Sequence, residues 1–331
     1  MFGKRIQWID YVKGLCMMAI ILNHIPGLPL LARLTYPFEL VGFFFVGGYT
    51  LSLKESFKSY LSAKCQRLVF PVFAFGLFNS VLAIPVKNVD FVERLKGVLL
   101  QVPGRYDDMW FVACLFTMEL LIYPLLFFLK SAWMRVSCVW LGVVIATVWS
   151  VAMDAFLPWH IINALLFLPI MLLGYLLGNC RLAKVWQDKI RIHGKLVFIP
   201  IILYLLSVLV FENWPIDIHL LQYGNVLTFV VSSISGLWMV LSVSMWLERF
   251  STSQWAHALQ FIGINSLAFY GMQSKVISVL VFMLTMTGII ACQTAFKLVV
   301  WIAALAILTG LSYVINHWFP FMVGKFNYKR K

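Results

Sequence analysis

Apolar runs about as long as a bilayer is thick recur along this whole chain, and no other feature narrows its fold so far. A helix rising 1.5 Å per residue needs roughly 20 apolar residues to cross a hydrocarbon layer about 30 Å thick. About ten such runs are present, near 11–31, 35–53, 68–86, 109–129, 134–152, 161–179, 195–211, 220–247, 264–290 and 296–318. Within lipid each backbone polar group must be satisfied internally, which leaves helices or a closed barrel. The alternating pattern of a membrane barrel is absent. The expected fold is all-α: a polytopic integral membrane helical bundle of about ten transmembrane helices, forming one membrane-embedded domain over 1–331. No linker, soluble domain or internal repeat interrupts it. Composition agrees, with 62% hydrophobic and 12% charged residues, where soluble domains carry roughly 25% charged.

The net charge of +13 would suggest nucleic acid in a soluble protein. Here positive-inside placement accounts for it, and nucleic-acid binding is excluded. With both termini inside, the inner segments 4–13, 54–67, 130–135, 181–195, 249 and 325–331 hold 19 of the 26 Lys and Arg. The outer segments hold Arg33, Lys87, Arg94, Lys96, Arg105 and Lys297, and Lys275 falls inside a span. The expected orientation is N-in, C-in. Lys4 and Arg5 before an apolar stretch loosely imitate a signal peptide, but Asp10, Lys13 and His24 interrupt that stretch and no clean cleavage site follows, so it reads as a retained first helix. The longest outer loop, 87–108, carries apolar Phe91, Val92, Leu95, Val98 and Leu99 at helical spacing, which predicts a short helix on the membrane surface.

Six cysteines form no CxxC pair and mostly sit in apolar runs, as free thiols do. Six histidines show no HxxxH spacing, so no metal site is expected.

Ionisable residues inside a span are costly and are functional candidates by default. The first span reads WIDYVKGLCMMAIILNHIPG. Asp10 and Lys13, three apart, share a helix face near the inner surface. His24 lies eleven residues beyond Lys13, close to three turns and about 16 Å higher, and returns to that face. A hydroxyl becomes a good nucleophile only when a base takes its proton, which neutral imidazole does near neutral pH. His24 is therefore either such a base or a packing histidine bonded to a neighbouring helix. Glu119 lies about 15 Å into the fourth span; it either orients the imidazole, as the acid of a triad does, or is a protonated bundle residue. Glu39 opens the second span and is expected to reach the outer surface. Lys275 pairs with an acid, lines a cavity or snorkels. Lys64 and Arg67, at i and i+3 in KCQRLVFP, are either a clamp on donor phosphates or positive-inside anchors, and Pro71 should perturb the helix that follows. Gly47 and Gly48 allow a close helix approach or leave room for a ligand. Trp110 and Phe111 open the fourth span where an aromatic belt is expected.

In this order, WIDYVKGLCMMAIILNH (Trp8 to His24), FFFVGGY (Phe43 to Tyr49), KCQRLVFP (Lys64 to Pro71), MWFVACLF (Met109 to Phe116), LLGYLLG (Leu172 to Gly178) and FIGINSLAFYGMQ (Phe261 to Gln273) resemble the membrane-bound acyltransferase-3 family, nearest its sugar O-acetylases of the fucose 4-O-acetylase-like kind. The resemblance implies a ten-helix core in a bacterial inner membrane that takes acetyl groups from cytoplasmic acetyl-CoA, without a metal. The acceptor would be a hydroxyl of a cell-envelope glycan or lipid-linked sugar. It makes His24 the essential histidine and Asp10 the acid that precedes it; Glu119, from its depth in the fourth span, is the acid expected to orient the imidazole. Lys13, Lys64 and Arg67 fall on donor-binding positions, while Gln273 and, from its place at the outer boundary, Trp110 are expected on the substrate side. Three departures stand out: Gly47-Gly48 replaces a small-Ser-Gly motif, Gln273 stands where histidine is common, and Lys13 and Lys64 replace arginine. Glutamine cannot accept a proton in that role, so a two-histidine mechanism is not expected. Lysine lacks the planar fork for bidentate phosphate binding.

The leading expectation is an O-acyltransferase, with His24 as base or transient acyl carrier and the 87–108 loop helping to choose the acceptor. The alternative is a transporter or flippase for an acyl group or lipid-linked sugar, which paired broken helices would favour. A third is a subunit of a polysaccharide assembly system. A homodimer through a lipid-facing aromatic surface is left open.

Overall fold

The computed structural model describes residues 5–26, 29–53, 56–87, 90–104, 106–153, 155–210, 216–286 and 294–326. Lys4, Lys54, Arg105, Lys329, Arg330 and Lys331 of the orientation argument, and Cys292, lie outside these residues. The described residues are helical apart from loops and one isolated β-bridge. Among the described residues, eight helices are long and apolar enough to cross a membrane, or up to nine if one bent pair counts as a single span. A further helix, α1 (Gln7–Asn23), has 17 residues.

The chain divides into two compact units. The first comprises Met1–Val46, Asn179–Ile216 and Tyr223–Ser312. It holds α1, most of α2 (Pro29–Tyr49), α9 (Arg181–Ile192), α10 (Phe198–Val210), α11 (Val226–Leu247), α12 (Gln254–Ile264), α13 (Ser266–Met286) and most of α14 (Thr294–Trp318). In this unit α1 lies directly on α12, because glycine leaves out the side chains that would separate them. A Cβ on Gly263 would sit 1.9 Å from Asp10 O, and one on Gly14 would sit 2.5 Å from Leu259 O. Close approach of this kind replaces the hydrophobic driving force that lipid does not supply. Trp301 Nε1 donates to Met18 O at 3.0 Å and holds α14 to α1. Tyr204 packs edge-on to Phe38 and donates to Leu34 O at 2.7 Å, tying α10 to α2.

The expected eighth span, 220–247, starts later than its apolar pattern suggested. Asn225 caps α11 by accepting from Thr228 N, so the chain before it stays in a loop. The ninth, 264–290, corresponds to α13, which starts at Ser266 just after α12 ends at Ile264, and its last residues lie outside those described.

The second unit comprises Gly47–Gly178, Asp217–Gln222 and Tyr313–Lys331. Its helices are α3 (Phe57–Lys64), α4 (Phe70–Lys87), α5 (Phe91–Leu100), α6 (Trp110–Phe128), α7 (Ala132–Ala152) and α8 (Ile161–Gly178). A five-residue π-turn, Cys65–Val69, joins α3 to α4, with Phe70 N donating to Cys65 O. Pro71 explains it: proline has no N–H for the carbonyl one α-turn earlier, and its ring crowds that carbonyl. The perturbation expected at Pro71 therefore takes the form of a locally widened helix. Gly324, at φ +73°, seats the C-terminal turn on this segment; a Cβ there would meet Gln66 O at 2.5 Å.

The short helix expected in the 87–108 loop is present as α5, capped by Asp90, whose Oδ1 accepts from Val92 N at 2.8 Å. Phe91, Val92 and Leu99 are exposed, while Arg94 is buried over the Tyr106 ring at 4.5 Å.

Gly48 marks the tightest approach in this unit, with a Cβ there falling 1.8 Å from Met171 O. No rotamer change relieves a clash with backbone, so Gly48→Ala should lose at least the roughly 1–3 kcal/mol typical of overpacking. Thermal unfolding in detergent measures this. Gly310→Ala, where nothing lies within 4 Å, is the control and should gain up to about 1 kcal/mol of helix propensity. Equal behaviour of the two variants would refute the close approach at Gly48.

Candidate active site

In the first unit the candidate residues gather on α1. Asp10 is buried and held by a two-point pair from Arg5, with Nε to Oδ2 at 2.6 Å and Nη2 to Oδ1 at 2.9 Å. Gln260 Nε2 donates to the same carboxylate at 3.3 Å. The close α1–α12 packing at Gly263 brings this glutamine within reach. Asp10 is thus a fixed acceptor at the start of the helix. Lys13 lies half-buried one turn on.

His24 closes α1 at its C-cap and is exposed. Its Nδ1 lies 2.8 Å from Ile20 O. A carbonyl oxygen only accepts, so Nδ1 carries a proton, and in the neutral ring Nε2 then keeps the lone pair that a base requires. Beside it, Asn23 is locked in place: its Nδ2 donates to Glu39 Oε2, and Thr35 Oγ1 donates to its Oδ1 at 2.8 Å. Glu39 is only 4% exposed. It does not reach the outer surface as the sequence suggested, because α2 begins at Pro29 and Glu39 falls midway along it.

Gln273 on α13 is buried, and its Oε1 lacks a hydrogen-bond partner. Lys275 is half-buried two residues on.

In the second unit Glu119 is buried on α6 and engaged from α3. Lys64 Nζ donates to Oε1 at 2.5 Å, and the Tyr60 hydroxyl donates to Oε2. Tyr60 stacks on Tyr123 with ring centroids 4.2 Å apart. Lys64 and Tyr60 reach one carboxylate because they are four apart on α3 and share a face. Arg67, within the π-turn, is exposed.

The other cluster in this unit surrounds Trp110, which is half-buried at the start of α6. Its ring lies 5.4 Å from that of His160 and 5.0 Å from that of His219. Both imidazoles direct Nε2 at Asp107 Oδ2, at 3.0 Å and 2.5 Å. Asp107 lies outside the spans. Burial alone would raise its carboxyl, but the hydrogen bonds from His160 and His219 outweigh it and lower it to about 2. The backbone here is strained. All five non-glycine residues at positive φ among the described residues, Gln101, Tyr106, Trp159, His160 and Leu221, lie in the three segments that carry these side chains. Each costs on the order of 1 kcal/mol or more, and such positions concentrate at functional sites.

Sequence reasoning passed over Arg5, Tyr60 and Gln260 as partners. The i,i+4 spacing of Tyr60 and Lys64 was a usable signal. Asp107, His160 and His219 gave none, since they come from distant loops with no shared spacing.

These observations define the class: a polytopic helical membrane protein whose buried and half-buried acids, bases and cations sit on the faces of its spans. A family model described as an acyltransferase domain matches residues 6–317. The chain belongs to the acyltransferase-3 family and is an acyltransferase. No curated protein and no solved structure matches it.

Proposed function

We propose that this acyltransferase moves an acetyl group from cytoplasmic acetyl-CoA to a hydroxyl of a cell-envelope sugar or polysaccharide, with His24 as its base. The observation that supports this reading is His24 Nδ1 lying 2.8 Å from Ile20 O, an arrangement in which the neutral ring has Nε2 as the nitrogen able to accept a proton. In the reaction Nε2 takes the proton of the sugar hydroxyl as its oxygen attacks the thioester carbonyl. The carbon–sulfur bond then breaks, and the imidazolium returns the proton to the departing CoA thiolate. Nε2 taking the acyl group itself, before passing it to the hydroxyl, reaches the same products. Asp10, held by Arg5 and Gln260, fixes the start of the helix that carries His24. The buried, unpaired Oε1 of Gln273 suits a sugar hydroxyl as donor.

Lys13, Lys64 and Arg67 are the cations assigned to the donor's phosphates. Lys64 already neutralises Glu119, so the exposed Arg67 beside it carries more of that part. The orientation is N-in, C-in, in a bacterial inner membrane, which presents the basic segments to cytoplasmic donor.

The test is purified protein incubated with labelled acetyl-CoA and envelope glycan in the absence of any gradient. Label should appear in the glycan as a mass increase of one acetyl group, with release of free CoA. No transfer under these conditions, with uptake restored by a gradient, would instead identify a transporter. A mass increase of one succinyl group would keep the chemistry and replace the donor.

A further inference from the structure

We propose that Asp107, His160 and His219 form a binding site for a divalent transition-metal ion, with zinc the ion their chemistry fits best. The sequence gives no hint of it, because Asp107 and His160 stand 53 residues apart and Asp107 and His219 stand 112 apart. Asp107 opens the turn that leads into α6, His160 ends a 3₁₀ turn before α8, and His219 lies on a small loop closed by the Asp217–Gln222 bridge. One carboxylate oxygen and two imidazole nitrogens meet with all ligand atoms within 4.8 Å of one another.

Neighbouring bonds hold each ligand's backbone. Trp110 N donates to Asp107 O at 2.8 Å. Thr117 Oγ1 donates to Trp159 O at 2.8 Å, next to His160. Asn163 Nδ2 donates to Ile218 O at 2.6 Å, next to His219. The left-handed backbone at Tyr106, Trp159, His160 and Leu221 turns these three loops toward a common point. Hydrogen bonding to one acid needs a single imidazole. A second imidazole aimed at the same oxygen is better explained by a shared ligand between the three atoms.

Two neutral imidazoles and one carboxylate are borderline nitrogen and oxygen donors. They suit zinc and its first-row neighbours, whereas magnesium and calcium favour all-oxygen shells. Three protein ligands leave a fourth position for water or a small ligand, on a site whose imidazoles flank Trp110. The assignment is independent of how the acyl group moves.

The experiment is metal analysis of the full-length protein, purified in detergent without a histidine tag or chelator. About one zinc per chain is expected. His219→Ala, on a loop and partly exposed, should fold and lose that metal, and Asp107→Asn should do the same. After dialysis against a chelator, zinc should raise the melting temperature of the wild-type protein but not of the His219 variant. Cobalt(II) should give a visible absorption band with the wild-type protein alone. Wild-type protein that carries no metal, is not stabilised by zinc and gives no cobalt band would overturn the proposal and leave a hydrogen-bonded Asp–His–His cluster only. Equal zinc content in wild type and the His219 variant would overturn it as well, by placing the metal elsewhere.

Discussion

His24→Ala protein is expected to transfer acyl groups about 10²–10⁴-fold more slowly than wild type, the range for loss of a positioned general base. Its fold should be little affected. The side chain is exposed at the end of α1, and its Nδ1 bonds to Ile20 O within its own helix. Loss of that bond costs about 1 kcal/mol. His24→Asn separates chemistry from structure, because asparagine can donate to the same carbonyl but offers no basic nitrogen. Both variants should melt within a few degrees of wild type, and both should show the same large loss of rate. Activity restored in the asparagine variant would mean that His24 caps its helix and that the base lies elsewhere.

The second large effect belongs to Glu119. Its carboxylate is 4% exposed and its partner Lys64 is 24% exposed, so the pair is mostly removed from solvent. Glu119→Leu leaves the Lys64 ammonium without its counter-charge and the Tyr60 hydroxyl with only the Glu119 backbone carbonyl, 3.4 Å away, as acceptor. Breaking a buried pair from one side typically costs about 3–5 kcal/mol. Changing Lys64→Met together with Glu119→Leu removes both charges, and most of the lost stability should return. Thermal or denaturant unfolding of the wild type and the three variants gives the coupling directly. Additive losses would show that the two residues act separately, and would return Lys64 to the donor's phosphates as a free charge.

Periodicity and length made the helices legible, since a bilayer imposes both. The runs at 109–129, 134–152, 161–179 and 296–318 match α6, α7, α8 and α14 within a few residues. Boundaries were harder where a polar side chain caps a helix inside an apolar stretch, as Asn225 does for α11. His24, Asp10 and Glu119 stood out because charge inside a span is costly. Their partners did not. Gln260 reaches Asp10 only because Gly263 and Gly14 let two helices touch, and Glu39 is buried because α2 begins six residues earlier than its apolar run suggested. The Asp107 cluster depends on backbone angles in three loops, which residue spacing does not encode.

The π-turn at Cys65–Val69 makes the length of that segment carry information as well as its side chains. An α-helix advances about 100° per residue. The wide turn therefore sets the phase between α3, which carries Tyr60 and Lys64, and α4 after it. Closing the segment into regular α-geometry at the same length would swing Lys64 about 100° away from Glu119, while closing it with the loss of one residue would keep the phase. The wide turn is a stored residue, taken up so that the frame on either side is held.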